Sequence, residues 1–298
     1  MDGILLLDKP LGLSSTAAGQ RLRRMLRIEK VGHVGSLDPL ASGMLPLCLG
    51  EATKLAGEIL EGAKVYRFTV KLGARTSTGD LEGETVETQP IGPLSADQIT
   101  TALQTFLGET WQIPPMYSAI KRQGQPLYKL ARAGQVVERE PRKIRIESLQ
   151  LLEWRAPDEL VCELRCGKGT YVRVLAEDLA VKLGTVGHVT SLRRERVEPF
   201  AGEAMLTFEA IEAALARGES LPLIGLSDAV SHLPLVTLDS PAALRLCHGQ
   251  EVNRTDLTLV VGQTVRVQDE AGRFLGLGRV AAPGRLAAKR LVRQRSDA

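Results

Sequence analysis

Apolar residues recur along the 298-residue chain in two rhythms, every second position and every third or fourth. Residues 3–7, Gly-Ile-Leu-Leu-Leu, form a short apolar run that predicts a buried strand closed by an Asp8-Lys9-Pro10 turn. Residues 64–73 alternate, with Tyr66, Phe68, Val70 and Leu72 on one face and Arg67, Thr69 and Lys71 on the other. The same alternation runs through 144–153 and 160–166, where Leu160, Cys162, Leu164 and Cys166 share a side, and 188–197 reads as a strand ending in positive charge. Helical spacing appears over 16–28, where Ala18, Leu22, Met25 and Leu26 make a stripe behind a Ser14 or Ser15 cap. It returns over 53–59, over 95–106 behind Ser95, briefly near Tyr128, over 171–183 behind Thr170, and over 207–217. After a Pro- and Ser-containing connection the pattern changes. A short helix at 242–247 precedes strands at 258–268, 273–281 and 286–293, with Gly272 and Pro283-Gly284 in the turns, which predicts a small β-barrel. The fold class is α+β, divided into 1–232 and 233–298.

At 44% hydrophobic and 24% charged residues, the chain reads as a globular protein able to bury a core without metal or disulfide staples. Cys48, Cys162, Cys166 and Cys247 lack zinc-site spacing, and Cys162 and Cys166 are expected as small core residues. With neither a signal peptide nor a long apolar run, a cytoplasmic protein is expected, with no membrane contact. The net charge of +3 says little about a polyanionic partner. Its distribution says more: residues 235–298 hold ten basic and six acidic side chains. Arg21, Arg23, Arg24, Arg27 and Lys30 cluster early, Arg193, Arg194 and Arg196 late, and Asp80, Glu82, Glu84 and Glu87 form an acidic loop. Any one cluster is explained by a solvated face; together with a basic C-terminal part they favour an RNA surface.

The stretch 32–45, Gly-His-Val-Gly-Ser-Leu-Asp-Pro-Leu-Ala-Ser-Gly-Met-Leu, fits neither rhythm. Gly32, Gly35 and Gly43 open backbone conformations closed to other residues, while Pro39 fixes its own φ and keeps Asp38 out of helix. Taken alone it reads as a Gly/Pro turn with a capping aspartate. Its full pattern resembles the catalytic loop of the TruB family, bacterial synthases that make pseudouridine at uridine-55 of tRNA. Asp8-Lys9-Pro10 and Leu192-Arg193-Arg194 stand where that family has similar segments, and the resemblance covers at least residues 2–200. Ser36 takes a place where the family more often has Thr or Ala.

The resemblance implies a pseudouridine-synthase fold: a mixed, mostly antiparallel sheet flanked by helices, followed by a PUA-like RNA-binding barrel. It implies an RNA-clamping insertion at about 114–145, which the sequence alone shows only as a basic, glycine-punctuated excursion. The implied partner is tRNA, through its T stem-loop and, by way of the C-terminal domain, its acceptor end, with no obligate protein partner.

Pseudouridine formation breaks the N1–C1′ bond, turns the uracil over and joins C5 to C1′. Atoms are conserved, so no cofactor and no metal is expected, and the chain shows no P-loop or dinucleotide fingerprint. Glycosidases generally need two carboxylates. A uracil anion spreads its charge over two carbonyls and leaves without an acid, so one ionised aspartate suffices, and Asp38 is the candidate. By resemblance, Arg173 is its charge partner, Tyr66 packs on the target uracil, Tyr171 and Leu192 line the pocket, and His33 fills space left by rearranged loop bases. From the residues alone, Tyr66 reads first as a core tyrosine and His33 as a locally satisfied side chain, while Arg173 is as readily a surface arginine. The other reading is a non-catalytic RNA-binding or tRNA-folding protein on the same fold.

Overall fold

The computed structural model describes residues 1–200, 202–254 and 258–293. Residues 255–257 and 294–298 of the expected C-terminal domain lie outside the described residues. The chain opens with β1 (Gly3–Lys9), then α1 (Ser15–Leu26), β2 (Val31–His33) and β3 (Ala41–Leu49). A 3₁₀ turn at Gly50–Lys54 runs into α2 (Ala56–Leu60), so the predicted helix at 53–59 is two pieces. There follow β4 (Lys64–Leu72), the hairpin β5 (Ala74–Thr76) and β6 (Thr85–Thr88), α3 (Ala96–Gln104) and β7 (Gly108–Gln112). An excursion carries β8 (Lys121–Arg122), β9 (Gln125–Pro126) and α4 (Leu127–Arg132) before β10 (Arg142–Arg155) and β11 (Glu159–Cys166). Then come α5 (Val172–Lys182), β12 (Gly187–Val197) and α6 (Phe208–Ala216). Beyond them lie β13 (Leu235–Leu238), α7 (Ser240–Cys247), β14 (Val252–Asn253), β15 (Thr264–Asp269), β16 (Phe274–Ala282) and β17 (Arg285–Leu291).

The main sheet has eight strands in the order β1-β3-β12-β4-β11-β10-β7, with β2 added to β3. Only β3 and β12 run parallel, Leu192 opposite Ala41 and Arg194 opposite Gly43. The alternation read from 64–73 puts Phe68, Val70 and Leu72 in the core under α1, α3 and α5, with Arg67 exposed. Ser14 caps α1 by accepting from Ala17 N at 3.1 Å, and Ser95 closes a capping box on α3. Thr170 is not the cap of α5. Its hydroxyl turns back to the Gly167 carbonyl at 3.2 Å, and Tyr171 holds the N-cap position instead.

Residues 235–291 form a second sheet in the order β13-β15-β16-β17-β14. The predicted strand at 258–268 begins only at Thr264, and β13 and β14 escaped the periodic reading because they are four and two residues long. Leu277 of β16 packs into an apolar cluster with Ile59 of α2 and Val230, so the two sheets share buried surface. Lys54 Nζ donates to the Leu291 carbonyl at 2.9 Å and Arg293 N to Glu51 Oε2 at 2.6 Å across the same seam.

Candidate active site

The loop between β2 and β3 leaves Asp38 at a turn pinned from three sides. Ser15, buried at the start of α1, accepts from Leu37 N at 2.7 Å and donates to Leu37 O at 3.0 Å. Pro39 O accepts from Gly12 N at 2.8 Å, and Asp38 O accepts from Ala41 N at 3.0 Å. From below, Arg194 of β12, 1% exposed, donates to the carbonyls of Met44 at 2.7 Å and Gly35 at 3.0 Å. Gly35 (φ 67°) and Gly43 (φ 98°) both adopt the left-handed region. A Cβ on Gly43 would lie 2.2 Å from the Arg194 carbonyl oxygen, so the parallel pairing of β3 with β12 requires glycine there. Gly32, in β2, makes no such demand.

Arg173, second residue of α5, faces this turn. Its Nε stands 3.0 Å from Asp38 Oδ2 and 3.7 Å from Asp80 Oδ2. Its Nη1 donates to Thr78 O at 2.8 Å and its Nη2 to Tyr117 O at 2.7 Å. Both ends of the guanidinium fork are thus taken by backbone, which fixes its plane. The Arg173 side chain is 5% exposed and the Asp38 side chain 41%. A fixed, buried cation holds a carboxylate that can still be reached from outside.

Burial raises the Asp38 carboxyl above the ordinary aspartate range. Arg173 pulls it down by charge and hydrogen bond, Asp80 pushes it up, and Lys9 pulls it down more weakly. The net direction is upward. Lys9 is itself buried on the carbonyls of Pro10 (2.9 Å) and Leu13 (2.7 Å), and desolvation lowers it to about 8.

A small cavity of about 10 Å³ opens beside the pair, walled by Asp38, Ala41, Asp80, Arg173, Val189 and Leu192. The other three predicted site residues surround this centre without lining it. Tyr66 is buried in the main core with its hydroxyl beside Arg194, and burial keeps the phenol neutral. His33 ends β2, half-buried, its Nδ1 without a hydrogen-bond partner and its ring held neutral by burial and by Arg194. Tyr171 begins α5. Gln112 of β7 accepts from its N–H at 2.8 Å and donates to its carbonyl at 3.1 Å, while its phenol, raised by burial, faces Ser118. Among the described residues no group of His, Cys, Asp or Glu could hold a metal ion.

The match to the TruB family pseudouridylate synthase N-terminal domain spans residues 23–172. The tRNA pseudouridylate synthase B C-terminal domain matches 173–223, and the pseudouridine synthase II TruB C-terminal domain matches 234–292. The tRNA pseudouridine synthase B of Stutzerimonas stutzeri (strain A1501) is 46% identical over 98% of this chain and 96% of its own. The chain belongs to the TruB family. The protein of the same name from Burkholderia pseudomallei (strain 668) is also 46% identical, over 98% of this chain and 97% of its own. A solved Cbf5-Nop10-Gar1 complex contains a chain that superposes with TM-score 0.73 at 25% identity, over 93% of this chain and 78% of that one. An H/ACA RNP bound to a substrate RNA containing 2′-deoxyuridine gives TM-score 0.75 at 21% identity, over 98% and 86%, a likeness of fold alone.

Two residues of this TruB-family chain matter at the site and were read otherwise from the sequence. Asp80 was counted in a solvated acidic loop. It is buried, accepts from Thr78 Oγ1 at 2.5 Å and Glu82 N at 3.0 Å, and turns its other oxygen toward Arg173. Arg194 was counted in a basic RNA-facing cluster. Strand alternation turns it inward while Arg193 turns outward onto Asp8, with both contacts at 2.9 Å. The early cluster is partly engaged too: Arg21 lies 3.1 Å from Glu212 and 4.1 Å over the Phe208 ring.

Proposed function

We propose that the protein converts uridine to pseudouridine in tRNA, at position 55 of the T-loop, with Asp38 as its single catalytic carboxylate. The observation that carries this reading is a reachable aspartate held at 3.0 Å by an arginine that is itself immobilised on two backbone carbonyls. The near full-length likeness to proteins named tRNA pseudouridine synthase B supports it.

The target uridine has to leave the stacked loop to meet Asp38. A space of about 10 Å³ does not admit a pyrimidine ring, so the wall opens as the base enters. Leu192 gives the apolar side of the pocket, and Tyr66 and Tyr171, which do not line the closed space, become its floor and edge once the wall has opened. His33, neutral and lacking a partner at Nδ1, takes the place vacated in the RNA loop.

Ionised Asp38 then acts on the nucleoside. Whether it attacks C1′, attacks C6 or removes the 2′ proton, it needs the same anion, and Arg173 keeps that anion available as the base closes off water. The N1–C1′ bond breaks, uracil rotates, C5 bonds to C1′, and the C5 proton is lost while N1 gains one. Residues 1–232 carry this chemistry, and 114–145 close over the RNA. Residues 233–298 reach the acceptor end, in the cytoplasm where tRNA resides. An RNA chaperone without catalysis has no use for the Asp38–Arg173 arrangement, although tRNA folding is compatible with it.

The reading is tested by mapping the product. A tRNA transcript incubated with the protein, treated with carbodiimide and copied by reverse transcriptase gives a stop at position 55, absent from a transcript carrying cytidine there. A stop at another uridine, or none, removes the site assignment.

A further inference from the structure

The chain leaves the main sheet at Gln112 and returns at Arg142, directly opposite it in register. The intervening excursion encloses a second cavity, of about 240 Å³, far larger than the space beside Asp38. Its walls carry Lys121, Arg122, Arg139 and Arg142 against Glu138 and Glu140. Among the described residues these four cations form no ion pair with a carboxylate, and Arg122 is spent only on the Glu138 carbonyl at 2.9 Å. Arg139 Nε is shut off from solvent and has no hydrogen-bond partner. An unmatched guanidinium N–H in such a place is unfavourable, and four cations that outnumber the two carboxylates leave the space with excess positive charge. A single anion with several acceptor oxygens relieves both.

The cavity adjoins the catalytic centre through the chain. Tyr128 N and Leu127 N hang α4 on the carbonyls of Ser118 (3.0 Å) and Ile120 (2.8 Å). The neighbouring Tyr117 carbonyl holds Arg173. Arg142, on the cavity wall, is close enough for Tyr171 to feel its charge.

We propose that this cavity is a phosphate site that receives one backbone phosphodiester of the bound RNA, close along the strand to the uridine presented to Asp38. The inference rests on the reading of the protein as a tRNA-modifying enzyme. Such a contact clamps the excursion onto RNA at the point where it also supports Arg173.

The test is a double cycle on a T-arm RNA with neutral methylphosphonates placed one linkage at a time, its binding read in the Asp38→Asn protein with and without Arg139→Gln. At one linkage near the target, methylphosphonate weakens binding about tenfold in the protein with Arg139 and causes no further loss without it. Arg139→Gln also lowers the slope of log affinity against log salt by about 1. Arg142→Gln repeats the cycle if Arg139→Gln does not melt like its parent. Losses that multiply at every linkage, or an unchanged salt slope, overturn the proposal. Inorganic phosphate forms the second arm. Its tight, Arg139-dependent binding without any linkage effect assigns the cavity to free phosphate and overturns the RNA contact. Turnover of the unmodified RNA by the wild-type protein, read alongside, separates failure of this site from failure of the enzymatic reading.

Discussion

At the scale of single residues the site turns on opposed forces on one carboxyl. Burial and Asp80 push Asp38 up, Arg173 and Lys9 pull it down, and the balance is upward. In the proposed mechanism the active form is the anion, so activity is expected to fall as pH drops through a value above the ordinary aspartate range. Asp80→Asn removes one of the charges that favour the protonated acid, so the acid limb of kcat moves to lower pH. A limb that stays put or moves up contradicts this. Arg173→Lys keeps a charge but loses the fork that spans Asp38, Thr78 and Tyr117. It is expected to lower kcat about a hundred- to a thousandfold with tRNA affinity nearly kept, checked by single-turnover kinetics beside equilibrium binding. The approach of Arg173 to Asp38 was implied by the family resemblance; from the residues alone an arginine in a first helical turn asks for an anion without naming it, and reads as readily as a surface side chain. Asp80 and Arg194 were not legible. An acidic residue in a Gly-rich connection and an arginine in a basic triplet both look solvated until tertiary packing decides which way they point.

At the scale of elements, strands and helices set where those residues stand. Alternation in 64–73 foretold the buried face of β4, and the Ser14 and Ser95 caps fell where hydroxyls precede apolar stripes. The hairpin β5–β6 was missed because its strands are only three and four residues long and mostly polar, and its pairing is supplied by backbone rather than side-chain pattern. The start of α5 was assigned to Thr170, yet the groups that bond Tyr171 come from Gln112, fifty-nine residues away in sequence. No local signal carries such a partner. Gln112→Leu fills the same space without those bonds, and is expected to destabilise the protein by about 1–3 kcal/mol. Because α5 carries Arg173, kcat should fall more than KM rises. Denaturant melts and steady-state kinetics check the two parts, and a pure KM effect would place Gln112 outside the positioning of Arg173.

At the scale of the whole molecule, two sheets meet over a common apolar cluster that includes Leu277 from one and Ile4, Leu6 and Met44 from the other. Shared burial couples their unfolding, so calorimetry is expected to show one transition. Leu277→Ala is expected to cost about 2–5 kcal/mol and to lower that single transition. Two separate transitions in the wild-type protein would show that the seam is too weak to join the lobes. The seam also fixes the C-terminal sheet relative to the Asp38 turn, as the proposed contacts to an acceptor end and a T-loop together would require. Everything functional still rests on one acid beside one arginine. Tritium release from [5-³H]uridine-labelled tRNA, compared between wild type and Asp38→Asn with binding measured in parallel, tests this most directly. The account predicts release by the wild type, a fall of about a hundred- to ten-thousandfold or more in the variant, and unchanged tRNA binding. Release at the wild-type rate from Asp38→Asn would contradict it.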